Sequence, residues 1–90
     1  MNSPSCKGLT ISIHNADKAT FDGRDCFIVC LLDEHGNLLF YPKEGRYDSE
    51  ATSEHTTIEE AITHAGELAK RRGAVRITNH VPHYSVIWRA

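Results

Sequence analysis

Ninety residues leave room for one thin hydrophobic core, and 40% hydrophobic with 24% charged residues is the make-up of a globular chain rather than a disordered or fibrous one. A formal net charge of −2 supplies no overall attraction to a phosphate backbone, so nucleic acid is not the default partner. The longest apolar run, residues 27–32, is far short of the roughly 20 residues that span a bilayer, and residues 1–7 lack the apolar stretch of a secretory signal.

With no visible export route and an odd count of three cysteines, the chain reads as cytoplasmic with reduced thiols. A polar leader over 1–8 is expected to precede a single domain over 9–90. Leu9, Ile11 and Ile13 alternate with Thr10, Ser12 and His14, the period of a strand with one face buried. Residues 15–25 are rich in turn formers, include Asp22-Gly23, and carry Phe21 as an anchor to the core. Residues 26–32 are apolar on both faces, and Phe27, Ile28 and Val29 favour a strand, here read as the central one. On that strand Cys26 and Cys30 lie roughly 13 Å apart, beyond the reach of a disulfide, and read as core hydrophobes.

The polar turn 33–37 and the apolar residues 38–41 complete a β-hairpin, which Pro42 ends. Residues 43–55 form the longest loop, with a short extension at Arg46-Tyr47, and are the first place to seek a binding surface. A helix then starts at a capping box, Thr56-x-x-Glu59, and ends at Lys70-Arg71-Arg72 with Gly73 as a left-handed cap. Its apolar stripe is Ile58, Ala61, Ile62, Ala65, Leu68 and Ala69, while Glu60, His64, Glu67 and Arg71 lie opposite. Residues 75–78 alternate as a strand, Pro82 interrupts, and a last strand places Tyr84, Val86 and Trp88 on one side with Ser85, Ile87 and Arg89 on the other. The expected fold is α+β: a small antiparallel sheet, ordered β-β-β-α-β-β along the chain, packed on one amphipathic helix.

Chemical signatures are sparse. His80-x-x-His83 is the closest histidine pair, with His14 a third ligand only if the first strand lies beside it, and the remaining zinc ligands are not visible. His64 reads as a helix-surface partner of Glu60. There is no Gly-x-Ser-x-Gly elbow, the strand cysteines sit in an apolar run that disfavours a thiolate, and Cys6 beside Lys7 is the more accessible thiol. Asp17, Asp22, Gly23 and Asp25 lack the spacing of a calcium loop. No catalytic residue, metal or cofactor is therefore assigned. Two surfaces remain: a basic corner of Lys70, Arg71, Arg72 and Arg76, and the stripe Tyr84, Val86 and Trp88, which either closes the core, the favoured reading, or anchors a partner.

The run from Ser53 through His55, Thr56, Glu60-Ala61-Ile62, Ala65, Leu68-Ala69-Lys70 and Gly73-Ala74 resembles small bacterial domains of unknown function. Their pattern is S-x-H-x-T-x-x-E-A-I-x-x-A-x-x-L-A-K-x-x-G-A, with a β-hairpin before the helix and a strand after it. The resemblance spans residues 25–80 and implies a fold but no activity. The chain departs from that family at 79–83, where a glycine-containing hairpin is common. A second likeness, through Thr57-x-x-Glu60-Ala61, is to the HicB-type antitoxin domain; this chain lacks that family's proline- and glycine-bearing strand end and an appended DNA-binding segment. The leading expectation is a non-enzymatic accessory or protein-interaction module, as a homodimer or with a protein partner through the terminal strand. A nucleic-acid-associated module or HicB-like antitoxin is the alternative, and an enzyme or metal-dependent protein comes third.

Overall fold

A computed structural model describes residues 8–16 and 26–90. Along these residues run β1 (Thr10–Asn15), β2 (Phe27–Leu32), β3 (Phe40–Tyr41), β4 (Arg46–Tyr47), β5 (Thr52–His55), α1 (Ile58–Arg72), β6 (Arg76–Asn79) and β7 (Ser85–Arg89). The chain is α+β: five strands form a sheet in the order β5-β2-β1-β6-β7, and β3 and β4 form a separate ribbon. Asp22-Gly23 and the Phe21 anchor lie outside the described residues.

Alternation in β1 divides the sheet into two unlike faces. Ile11 and Ile13 are fully buried with Val29, Leu31 and Ile77 against Ala61, Ala65, Leu68 and Ala69 of α1. The intervening Thr10 and Ser12, and Thr78 beside them, are buried on the opposite face, which α1 leaves uncovered. Cross-strand registers carry the same division outward: Thr52, Cys30, Ser12, Thr78 and Val86 form one row of the uncovered face, and Leu31, Ile11, Ile77 and Trp88 one row of the covered face.

The sheet differs from the expected one in three respects. It is mixed, because β6 runs parallel to β1 while every other pairing is antiparallel. Its centre is β1 rather than β2. The predicted hairpin after β2 survives in shortened form, as the Asp33 N–H donated to the Asn37 carbonyl, the bridge between Leu32 and Leu38 and the Leu39 N–H donated to the Leu31 carbonyl. The chain then swings away, Phe40–Tyr41 pairs with Arg46–Tyr47, and the place beside β2 is taken by Thr52–His55, a stretch expected to be loop. Thr-Ser-Glu-His carries no apolar alternation because it is an edge strand with exposed Thr52 and Glu54, so its signal lay in pairing and not in hydrophobicity. Along the chain five strands rather than three precede α1, and β5 takes the place in the main sheet expected for residues 38–41.

The helix begins one residue later than expected: Thr57 is the N-cap, and its hydroxyl accepts from the Glu60 N–H at 3.1 Å. The used cap is thus Thr57-x-x-Glu60, and Glu59 and Glu60 lie in the first turn where the helix dipole favours acid. Gly73, at φ 69°, closes the helix with its N–H on the Ala69 carbonyl. Of the six stripe residues, Ala61, Ala65, Leu68 and Ala69 are buried and Ile58 packs beside them, whereas Ile62 is 41% exposed. The small alanines set α1 close over β1, and Ile62 overhangs the β6–β7 side.

β7 also departs from simple alternation. Ile77 pairs with Trp88 but Thr78 pairs with Val86, so Ile87 is the extra residue of a β-bulge. The bulge splits the predicted stripe: Val86 lies on the uncovered face, and Trp88, with Ile87, turns toward the helix side.

Replacing Leu68 by alanine should lower stability by about 2–5 kcal/mol, because it empties a fully buried site between helix and sheet. Ile62→Ser should cost under about 0.5 kcal/mol, the range of exposed positions. Urea denaturation of both variants checks this; equal losses would contradict the burial pattern.

Candidate functional site

The basic corner does not assemble. Arg72 makes a two-pronged contact with Asp48, Nη1 to Oδ1 at 2.9 Å and Nη2 to Oδ2 at 2.8 Å, and a further bond from Nη1 to Glu50 Oε1 at 2.8 Å. Tyr41 donates its hydroxyl to Asp48 Oδ2 at 2.5 Å, the Glu50 N–H binds Asp48 Oδ1 at 2.8 Å, and Arg71 pairs with Glu50. The Arg72 guanidinium, with the Tyr41 hydroxyl and the Glu50 N–H, holds the Asp48 carboxyl well below the usual carboxylate range, and the same carboxylates hold Arg72 more firmly protonated. Glu50 is lowered by Arg72 and then Arg71. This clamp fastens residues 41–50 to the end of α1 and delivers Thr52–His55 to the edge of β2. Two of the four corner residues therefore work inside the fold. Arg76 stands apart, on the uncovered sheet face, where its Nε reaches Thr10 Oγ1 at 3.3 Å.

The terminal stripe resolves into two surfaces. On the helix side, Ile87 and Trp88 are 40% and 39% exposed and line a groove with Ile62, Gly66, Ala69 and Ile77, of about 430 Å³. Glu67 and Lys70 contribute charge of opposite sign to its helix wall. Open space stands where a side chain on Gly66 would be, which deepens the groove at that turn. Beside it, among the described residues, β7 is a sheet edge, paired on one side only, to β6. Core closure, the favoured reading of the stripe, is thus not what Trp88 does.

On the opposite face, Val86 and Tyr84 lie with two histidines. His14 and His80, on adjacent strands, stack with ring centroids 4.4 Å apart and planes 17° from parallel. Each is tied to the hydroxyl two residues before it, His14 Nε2 with Ser12 Oγ at 2.9 Å and His80 Nε2 with Thr78 Oγ1 at 3.2 Å. Tyr84 meets His80 edge-on at 5.1 Å. Cys30, in the same row as Ser12, has its thiol pushed up by burial, and it and Cys26 are free. A second imidazole pair, His55 and His64 at 4.8 Å, bridges β5 and α1 next to Glu59 and Glu60. His64 therefore meets a strand partner, and shares a surface pocket with Glu60, the helix neighbour expected for it. Among the described residues, no three histidine, cysteine, aspartate or glutamate side chains converge to hold a metal ion, and no helix is long and apolar enough to cross a membrane.

The sequence missed the Asp48–Arg72 clamp and the stacked imidazoles. The clamp joins positions 24 apart, and only the acidic residues of 43–55 set against a basic helix end hinted at it. The stack follows from β1 lying parallel to β6, which no local pattern encodes.

Comparison with protein-family models finds no match, and comparisons with characterised proteins and with solved structures find none either. The two resemblances rest on the residues quoted for them.

Burial, and then the neighbouring His80, lower the pKa of His14; burial, and then His64, lower that of His55. A histidine with a depressed folded pKa contributes stability above its unfolded value of 6.5 and loses it as pH falls through the folded value. Asp48 and Glu50 behave in the same sense from 3.8 and 4.5 downward. The urea midpoint should accordingly fall in two stages on acidification, the first just below pH 6.5 and the second below about pH 4. His14→Asn with His55→Asn should flatten the first stage alone; an unchanged first stage would mean that other groups cause it.

Proposed function

We propose that this chain is a non-enzymatic protein-interaction module that pairs with a second copy of itself through the edge of β7. The observation that carries this is the bulged edge strand: it turns two consecutive large apolar residues, Ile87 and Trp88, toward a groove that Ile62 also overhangs. Edge strands offer unpaired N–H and C=O groups, and proteins normally blunt them with charge, proline or cover. Here the middle of the strand is Val86-Ile87-Trp88.

The choice of a second copy rests on self-complementarity. Ser85-Val86-Ile87-Trp88-Arg89 reads polar, apolar, apolar, apolar, polar in either direction. Two such strands laid antiparallel about a twofold axis bring the apolar middle of one beside that of the other and send the two Arg89 side chains to opposite ends, so no like charges are opposed. Glu67 and Lys70, one turn apart on the groove wall, have the opposite signs that a twofold arrangement exchanges.

Sedimentation velocity over a range of concentrations tests the reading. The wild-type mass should rise from monomer toward dimer, and Ile87→Lys, which sets a charge on the strand, should remain monomeric with an unchanged circular dichroism spectrum. A wild type that stays monomeric near 1 mM, a concentration at which even contacts worth about 4 kcal/mol are populated, contradicts self-pairing.

A further inference from the structure

The uncovered face of the sheet is the feature that neither the core nor the β7 edge accounts for. Its chemistry is segregated. On β1, β6 and β7, and on the turn leading into β7, this face presents Thr10, Ser12, His14, Arg76, Thr78, His80, Tyr84, Val86 and Arg89, and none of these is acidic in a chain of net charge −2. Two arginines stand directly opposite one another, Arg76 on β6 and Arg89 on β7. Like charges so placed are destabilising in a sheet unless something negative lies between them. Neither forms an ion pair within 4.0 Å of a carboxylate among the described residues. Arg76 spends its Nε on Thr10, which leaves its terminal amino groups for an anion.

At the other end of the same face is an aromatic platform. The His14–His80 stack is fixed by the two hydroxyl bonds, and Tyr84 stands against it with 61% of its surface exposed. The floor between the two ends is Ser12 and Thr78, small and buried, so among the described residues nothing bulky interrupts a track from the arginines to the rings. Arg76 and His80 are four residues apart along one chain, roughly 13 Å in extended backbone.

We propose that this face binds single-stranded nucleic acid, with phosphates on Arg76 and Arg89 and a base stacked at Tyr84 beside the imidazoles. The track length fits about four stacked nucleotides at ~3.4 Å each, longer than a mononucleotide can cover. Flat aromatic surfaces accept bases from strands whose faces are free, and a duplex hides those faces. Acidic groups bound the track. Asp33 and Glu34 share a shallow pocket with Arg76, and Asp33 is held in its own turn by the N–H groups of His35 and Asn37. Glu54 stands on β5 at the far edge. These confine the strand to the β1–β6–β7 half, and the net charge of −2 sets the affinity low enough to require measurement at low salt. The site is separate from the groove on the helix side and does not depend on dimerisation.

The experiment is fluorescence anisotropy of a labelled oligouridylate of about 12 nucleotides titrated with the full chain at several salt concentrations. Saturable binding is expected, with log K falling against log salt at a slope of about −1.4, the value for two neutralised phosphates on a single strand. Arg76→Gln with Arg89→Gln should abolish that slope and weaken binding tenfold or more. Tyr84→Ala should weaken binding about tenfold while leaving the slope unchanged, a separation that a general loss of structure does not produce. Lys43→Gln, on the remote β3–β4 turn, should change the affinity little, and circular dichroism of each variant verifies the fold. Absence of saturable binding at low salt overturns the proposal, as does a Lys43→Gln loss equal to that of the arginine pair. A duplex of the same length that binds as tightly as the single strand overturns the stacking at Tyr84.

Discussion

One helix can cover only one face of a five-stranded sheet, and most of this structure follows from that constraint. The covered face must carry the whole core, and it does so with few residues: Ile11 and Ile13 of β1, Val29 and Leu31 of β2 and Ile77 of β6 against three alanines and Leu68. Because the side-chain period of a strand is two, placing isoleucine at 11 and 13 consigns Thr10, Ser12 and His14 to the other side. Small hydroxyl side chains suit the face that α1 does not cover, since they bond its imidazoles, as Ser12 does His14 and Thr78 does His80. What the helix leaves uncovered is where the chain has surface to use, on the polar face and along the β7 edge.

The geometry of the edges depends on a second, electrostatic device. Residues 41–50 hold almost no apolar packing of their own, and the clamp of Asp48, Glu50 and Tyr41 on Arg72 is what ties them to the body. Arg72 and Asp48 are largely shielded from solvent, so their two-pronged contact is worth more than an exposed pair such as Arg46 with Glu44. By anchoring the segment at the helix end, the clamp sets β5 beside β2 and closes that side of the sheet with a short polar strand. The other side ends in β7, apolar in its middle. The two edges are therefore unequal, and the protected one is the one the clamp builds.

Elements with a strong local period were legible in the sequence. The alternation of Leu9, Ile11 and Ile13, the apolar run of β2, and the helix with its Gly73 cap are all present. Thr52–His55 reads as loop because a polar edge strand has no hydrophobic signature, and the hairpin after β2 is shorter than its apolar residues suggest because Leu38 begins it but Phe40 and Tyr41 find another partner. The capping box was shifted by one because Thr56 and Thr57 both have a glutamate three residues on, and only the backbone shows which hydroxyl turns inward. The candidate surfaces were half legible. Tyr84, Val86 and Trp88 form one stripe by alternation, and the bulge at Ile87 that splits them cannot be read from the alternation it breaks. The basic corner was a composition without a geometry, since its two central arginines are taken up by carboxylates from the preceding loop.

The central claim is a gradient across the sheet, from a β1 held on both sides and under the helix to a β7 held on one. Amide hydrogen exchange on dilute protein, read residue by residue, tests it most directly. The amides of Ile11, Ser12 and Ile13 should exchange only through global unfolding, while those of β7 that face outward exchange orders of magnitude faster. Uniform protection of β7 at the level of β1 in the dilute monomer, or fast exchange within β1, would contradict the account.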